Sequence, residues 1–266
     1  MEFMNSGSLQ TKNKRKVKTM KRNYRAVLQY EGTRYQGWQK QISTDNTIQG
    51  KLEALLTKMA GENVEVNSSG RTDAGVHAYG QVISFACDVD MSPEEIRDYM
   101  NQYLPEDIGV LSVVVAGERF HARLNATGKI YRYRVLNSSI PRVFDRKFVF
   151  QMPEELDLAA MKKGISYLEG KHDFKAFTAK KNTKKSTVRT IHEIKMEQVD
   201  EELVFTFYGD GFLYHMVRIL MGTLLEIGQH RREPESILEA FESGERVKAG
   251  FLAPAQGLAL MQVFYD

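Results

Sequence analysis

Twice along this chain the apolar residues pass between period-two and helical spacing in the same order, strand, helix, strand, strand, helix, strand. The first pass opens with a strand over 22–30. It continues with a helix from about Asn46 to Met59, in which Ile48, Leu52, Leu55, Leu56 and Met59 share one stripe. Asp45 or Asn46 is placed to cap that helix. A short strand near 64–66, a Gly-rich loop and a strand over 81–87 come next. Ser92-Pro93-Glu94-Glu95 has the form of a capping box with proline at the first helical position, so a second helix is expected to run to about Tyr103. The Val-rich stretch 108–115 ends the pass as a strand. In the second pass, strands are expected over 130–136, 188–196, 203–208 and 258–264 and helices over 158–168 and 213–227, with a short extra helix at 234–241.

A strand with one apolar face and a helix with one apolar stripe are each unstable alone and bury those surfaces against each other. The expected fold is therefore α+β, built as two ferredoxin-like (β-α-β-β-α-β) halves. Each half is an antiparallel sheet covered by helices on one face, and a cleft lies between the halves. The division reads as a disordered basic tail over 1–21, an N-terminal half over 22–117 and a C-terminal half over 118–266, with the seam in the stretch 117–125. With 42% hydrophobic residues in 266, the chain has enough apolar material for such cores.

The net charge of +3 is unevenly spread. Residues 1–25 hold eight Lys and Arg against Glu2, which leaves the remainder near −4. Between Lys171 and Arg189, Lys175, Lys180, Lys181, Lys184 and Lys185 stand against Asp173 alone, with Phe174 and Phe177 interleaved. An isolated basic run is usually a solvated loop. A second group, Arg119, Arg123, Lys129, Arg132 and Arg134, shifts the balance towards an RNA-binding surface. The single cysteine, Cys87, lies in an apolar stretch and reads as a small core residue, which fits a reducing cytoplasm. No apolar run approaches the ~20 residues needed to span a bilayer.

The chemistry-bearing stretch is Gly70-Arg71-Thr72-Asp73-Ala74-Gly75-Val76-His77. An aspartate between glycines is ordinarily a turn residue. A turn does not need Arg71, however, and two glycines let a backbone approach a ligand closely while presenting both side chains at a loop tip. Further blocks accompany it. They are Tyr30-Glu31-Gly32-Thr33 with Gly37-Trp38-Gln39, Asn46-Thr47-Ile48-Gln49-Gly50, Arg119-Phe120-His121-Ala122-Arg123, Tyr131-Arg132-Tyr133-Arg134, Gly211 through Arg218 (GFLYHMVR), and Ala253-Pro254 with Gly257-Leu258. Together, and in this order from about Arg22 to Asp266, they resemble the TruA family of tRNA pseudouridine synthases. The chain departs from the family pattern at Glu31, Gln256 and Ala259, none of which is a catalytic position.

The resemblance implies an isomerase that acts on uridines of the anticodon stem-loop of tRNA, at tRNA positions 38, 39 and 40. Asp73 is implied as the nucleophile, Arg218 as its cationic partner, and Tyr131 as the aromatic that stacks on the target uracil and takes part in proton transfer. Arg71 fills the space left when the nucleotide is flipped out, and Leu258 packs under the uracil. Lys180 and Lys181 fall in the basic run expected to hold RNA. A homodimer is also implied. The reaction is redox-neutral and keeps its leaving group, so it calls for no cofactor. A carboxylate in a dry pocket stays ionised only beside a cation, which is the work expected of Arg218.

Two other readings stand beside this one. A basic and aromatic ferredoxin-like sheet is also the architecture of non-catalytic RRM-like RNA-binding domains, though no pair of RNP-type aromatic motifs is found. Asp73, His77 and His121 can be drawn as a metal site, but no recognised ligand spacing accompanies them. His215 reads as a helix-face histidine. A paralogue acting on other uridines fits the same blocks.

Overall fold

A computed structural model describes residues 21–180 and 185–266. The expected basic tail, apart from Lys21, and Lys181 lie outside the described residues. In chain order the elements are β1 (Arg22–Tyr30), α1 (Ile48–Ala60), β2 (Asn67–Ser68), β3 (His77–Cys87), α2 (Pro93–Tyr103), β4 (Ile108–Val115), β5 (Ala126–Leu136), β6 (Phe150–Gln151), α3 (Leu158–Leu168), β7 (Gly170–Asp173), β8 (Val188–Val199), β9 (Glu202–Gly209), α4 (Met216–Gly228), α5 (Ser236–Ser243) and β10 (Leu258–Tyr265).

Local chemistry accounts for most of these boundaries. In β1, Tyr24, Ala26, Leu28 and Tyr30 are buried at period two. Helix α1 buries Ile48, Leu52, Leu55 and Leu56, and Gly61 ends it in the left-handed conformation. Its cap is Thr47, whose hydroxyl accepts from the Gly50 N–H, and not Asp45 or Asn46. The side chain of Asn46 is committed instead to the Arg34 carbonyl. The capping box of α2 is present in both directions between Ser92 and Glu95. The strand expected over 64–66 falls at 67–68, since Val64 and Val66 pack into the core without pairing to a neighbour. Helix α4 starts three residues later than periodicity suggests, because His215 takes the left-handed conformation (φ 64°) and interrupts the helical path.

The two expected sheets are one. Ten strands form a single sheet in the order β4-β1-β3-β10-β5-β9-β8-β7, with β2 added to β3 and β6 to β5. The expectation of two antiparallel sheets facing a cleft fails at β3. Strand β2 covers β3 only at Ile83 and Ser84, leaving the His77 end with backbone groups to satisfy. Strand β10 satisfies them in parallel, pairing Ala259 with His77 and Leu260 with Ala78. The other edge of β10 runs antiparallel to β5, with Leu258 opposite Tyr133 and Leu260 opposite Tyr131. One hydrophobic core spans both halves of the chain. Because β3 and β10 start side by side, the loop before β3, which carries Asp73, and the segment before β10, which ends at Leu258, meet at the same end of the sheet.

Helix α4 reaches this end through close backbone packing. A Cβ on Gly222 would lie 1.9 Å from the Phe251 carbonyl oxygen, and one on Gly250 would lie 2.5 Å from Thr223. The Thr223 hydroxyl accepts from the Gly250 N–H at 2.8 Å and donates to Ile219 O at 2.8 Å. The helix is thereby locked onto segment 249–253.

Candidate active site

The loop 70–76 rests on the segment 30–38. Trp38 N–H donates to Thr72 O at 3.0 Å, and the hydroxyls of Tyr30 and Thr72 are hydrogen-bonded at 2.8 Å. A side chain on Gly32 would collide with the Val76 carbonyl at 2.0 Å, and Gly37 (φ 89°) sits against Thr72 and Asp73. The block Tyr30 to Gln39 is therefore the bed of the aspartate loop. Val76 N–H donates to Asp73 O and closes the turn, while Gly75 is left-handed.

From this bed Asp73 faces α4. Arg218 Nη1 lies 3.1 Å from Asp73 Oδ2, and Arg218 Nε donates to Ala253 O at 2.7 Å. The guanidinium is thus fixed at two points, which gives the carboxylate an oriented counter-charge. His215 Nε2 is 3.5 Å from the same oxygen. Histidine 215 is not on the helix face, as its sequence position suggests, but at the N-cap turned towards Asp73. Its Nδ1 is buried with no hydrogen-bond partner among the described residues. A second ring proton there would be an orphaned buried donor, which disfavours the imidazolium. Burial, together with Arg218 and against the pull of Asp73, keeps the imidazole below its ordinary pKa. Among the described residues nothing bonds to Asp73 Oδ1.

Asp73 lies in the wall of a cleft of about 630 Å³ lined by Arg71, Lys129, Tyr131, Phe212, Tyr214 and Leu258 among others. Tyr131 is buried, in edge-to-face contact with Phe212 at 5.2 Å. Burial, reinforced by Tyr30 and Asp73, raises its phenol well above the usual range, so it holds its proton at neutral pH. Tyr133, two residues on, is fully buried and donates to Pro254 O at 2.7 Å. Leu258 is buried in the cleft wall, Arg71 is exposed at its rim, and Lys180 is on its border.

Asp73, Arg218, Tyr131, Arg71, Leu258 and Lys180 are therefore brought to one cleft. Phe212 and Tyr214, to which the sequence assigned no role, also line it, together with Lys129 and Arg189, which the sequence places in the two cation groups expected to meet RNA. The block GFLYHMVR held a signal for the first two, as two aromatics flank the leucine before the helix. His77 is turned away, accepting at Nδ1 from Gly32 N–H (3.0 Å) and donating from Nε2 to Lys147 O (2.9 Å). His121 accepts from the Arg123 N–H. Among the described residues no three His, Cys, Asp or Glu side chains are grouped as a metal site, and no helix is long and apolar enough to cross a membrane.

A family profile described as tRNA pseudouridine synthase matches residues 26–125 and 165–266. The chain belongs to the tRNA pseudouridine synthase family. Curated relatives span nearly all of it. It is 43% identical over 238 residues to tRNA pseudouridine synthase A of Bacillus sp. (strain KSM-64), covering 90% of this chain and 97% of that protein. It is 44% identical over 248 residues to the synthase A of Geobacillus sp. (strain WCH70), covering 93% and 100%. Against tRNA pseudouridine synthase A 2 of Clostridium perfringens the figures are 42% over 244 residues, 92% and 100%. Asp73, Arg218, Arg71 and Leu258 fall inside the segments matched by the synthase profile, and Tyr131 falls between them. A solved Cbf5-Nop10-Gar1 complex aligns with 90% of this chain and 48% of its own at 12% identity and a TM-score of 0.39, a loose likeness.

Proposed function

We propose that this chain carries out the reaction for which its family is named, converting uridine to pseudouridine in tRNA, with Asp73 as the nucleophile. The observation that carries the assignment is the occupancy of the carboxylate. Arg218 and His215 both face Oδ2, while Oδ1 has no described partner at the cleft wall. A carboxylate nucleophile needs an accessible oxygen, and the ion pair at the other oxygen orients it.

The reaction breaks the bond from C1′ to N1, forms one from C1′ to C5, and moves the C5 proton so that N1 ends protonated. Asp73 serves it by adding to C1′ or to the uracil ring. The target nucleotide is extruded at a cost of about a few kcal/mol, with Arg71 at the rim to occupy the vacated space. Tyr131 meets the base with a ring that rests as a neutral phenol, its hydroxyl placed to take part in proton transfer. Phe212 braces its edge, and Leu258 forms the apolar wall beside it. Lys180, on the border of the cleft, faces the RNA backbone. The isomerisation is redox-neutral, so the reading assigns no cofactor.

We extend the reading to uridines of the anticodon stem-loop, to a homodimer and to a cytoplasmic setting. The strand orders β4-β1-β3-β2 and β10-β5-β9-β8 support treating residues 22–117 and 118–266 as two ferredoxin-like units fused along β3 and β10. The deciding experiment incubates unmodified tRNA with the wild type and with Asp73→Asn and then maps pseudouridine. Product from the wild type alone, with tRNA still bound by the variant, is expected. Product from both, or from neither, overturns the assignment. Light scattering tests the dimer.

A further inference from the structure

Lys129 is a cation whose place is built but which has no counter-ion among the described residues. It lies two residues before Tyr131 on β5, hence on the same face of the strand and about 7 Å from it along the strand. Its ammonium enters the cleft beside Gly70, where it donates to Ser69 O at 2.8 Å. Gly70 is not left-handed, so no turn demands a glycine there. A Cβ at that position would lie 3.1 Å from Lys129 Nζ, in the space that the ammonium uses. One neutral carbonyl is the single described acceptor for a group with three donors.

The surroundings make the imbalance larger. Arg123 and Arg189 stand near Lys129, and among the described residues no carboxylate lies within ion-pair distance of these three. Arg189 is held by donating Nη1 to Ser186 O and Val188 O. Asp73 is the one carboxylate among the described lining residues, and Arg218 and His215 engage it. Burial first, then the two arginines, lower the Lys129 pKa to about 8. A partly buried ammonium among like charges is stable only when an anion arrives to join it.

We propose that Lys129, with Arg123 and Arg189, forms a phosphate subsite that grips the RNA phosphodiester next to the uridine held at Tyr131. This rests on reading the cleft as a site of uridine isomerisation in RNA. The chemistry selects a phosphodiester because the three cations line one cleft close enough for the arginines to act on Lys129, and Lys129 is two residues from the aromatic that meets the base. An apolar or cationic ligand finds no partner there.

The test measures binding of an unmodified tRNA transcript to the full chain in the Asp73→Asn background, across a salt series. Lys129→Met is expected to bind about tenfold more weakly, with the slope of log affinity against log salt reduced by about 0.7–0.9, the change for one lost phosphate contact. Lys129→Arg is expected to keep the slope. Unchanged affinity, or weaker binding with an unchanged slope, overturns the subsite. A second arm covers a Lys129→Met protein that fails to fold. Because the free ammonium titrates near pH 8, its charged fraction falls about tenfold between pH 7 and 9. Binding should fall by up to that factor in the Lys129 protein and stay level in Lys129→Arg. The neighbouring arginines do not titrate in this range, and His215 is already neutral. Identical pH dependence in the two proteins overturns the proposal. Product formation by the wild type, measured separately, reports on the isomerase reading itself.

Discussion

Arg218 and Asp73 stand 145 residues apart in the chain, and their side chains meet at 3.1 Å. The second anchor of the guanidinium, Ala253 O at 2.7 Å, means that it is held in place before substrate arrives. Arg218→Ala should therefore reduce kcat by ~100- to 1,000-fold, the usual cost of removing one oriented charge partner. Binding of tRNA should change far less. Lysine at this position cannot serve both Asp73 and Ala253 in the same way, so Arg218→Lys should remain impaired. Single-turnover kinetics with a separate binding titration checks both, and a normal turnover number in either variant would remove Arg218 from the mechanism.

His215 shares Asp73 Oδ2 with Arg218 and has no acceptor for a proton on Nδ1. The 3.5 Å separation from Asp73 is a contact longer than a formed hydrogen bond, so His215→Phe should lower kcat by about 10-fold, the low end for a group facing a charge. Glutamine can still offer an N–H from its side chain, and His215→Gln should recover part of the loss. Equal losses in the two variants would make the role one of packing alone.

Tyr131 separates contact with the base from handling of the proton. Tyr131→Phe retains the ring and its edge contact with Phe212, so tRNA binding should be preserved. The turnover number should fall by ~100-fold or more through loss of the hydroxyl. Tyr131→Ala should also weaken binding by ~1–3 kcal/mol. Full activity in the phenylalanine variant would confine the residue to stacking.

His77 gives stability a pH dependence. Burial lowers its pKa in the folded state, and the structure fixes it neutral between Gly32 N–H and Lys147 O. In the unfolded chain its pKa is about 6.5, so the unfolded state binds the proton more readily. The stabilisation is complete above pH ~6.5 and is lost as pH falls from there through the lowered folded-state value. The melting temperature should decline below pH 6.5, and the decline should be shallower in His77→Gln. Parallel curves for the two proteins would place the acid sensitivity elsewhere.

Much of the fold was legible because local signals agreed with the tertiary outcome. The Ser92 to Glu95 capping box, the buried alternation of β1 and the Val-rich β4 each carry their cause within a few residues. The misplacements arose where a distant partner decided. Val64 and Val66 have strand-like side chains but no neighbour to pair with, and His215 adopts a left-handed backbone that no periodicity reports. Strands β6 and β7 have two and four residues, too few to show a period. At the site, Asp73, Arg218 and Tyr131 were legible through the motifs that carry them. Lys129 and Arg189 were legible only as members of two cation-rich groups, since a lysine on a strand and an arginine in a basic run look the same whether they face water or a cleft.

The order of strands and helices, the bed of glycines around the Asp73 loop and the supply of carboxylate, guanidinium and phenol were determined by the sequence, because each depends on side-chain spacing or on backbone freedom at one position. That the two halves form one sheet was decided by tertiary structure, since the unpaired end of β3 had to find hydrogen bonds and β10 provided them. The same parallel seam sets the loop of Asp73 beside Leu258 and, through the close packing of α4 on segment 249–253, opposite Arg218. Which of many cations faces the cleft without a counter-charge was also settled there, by burial and distance together.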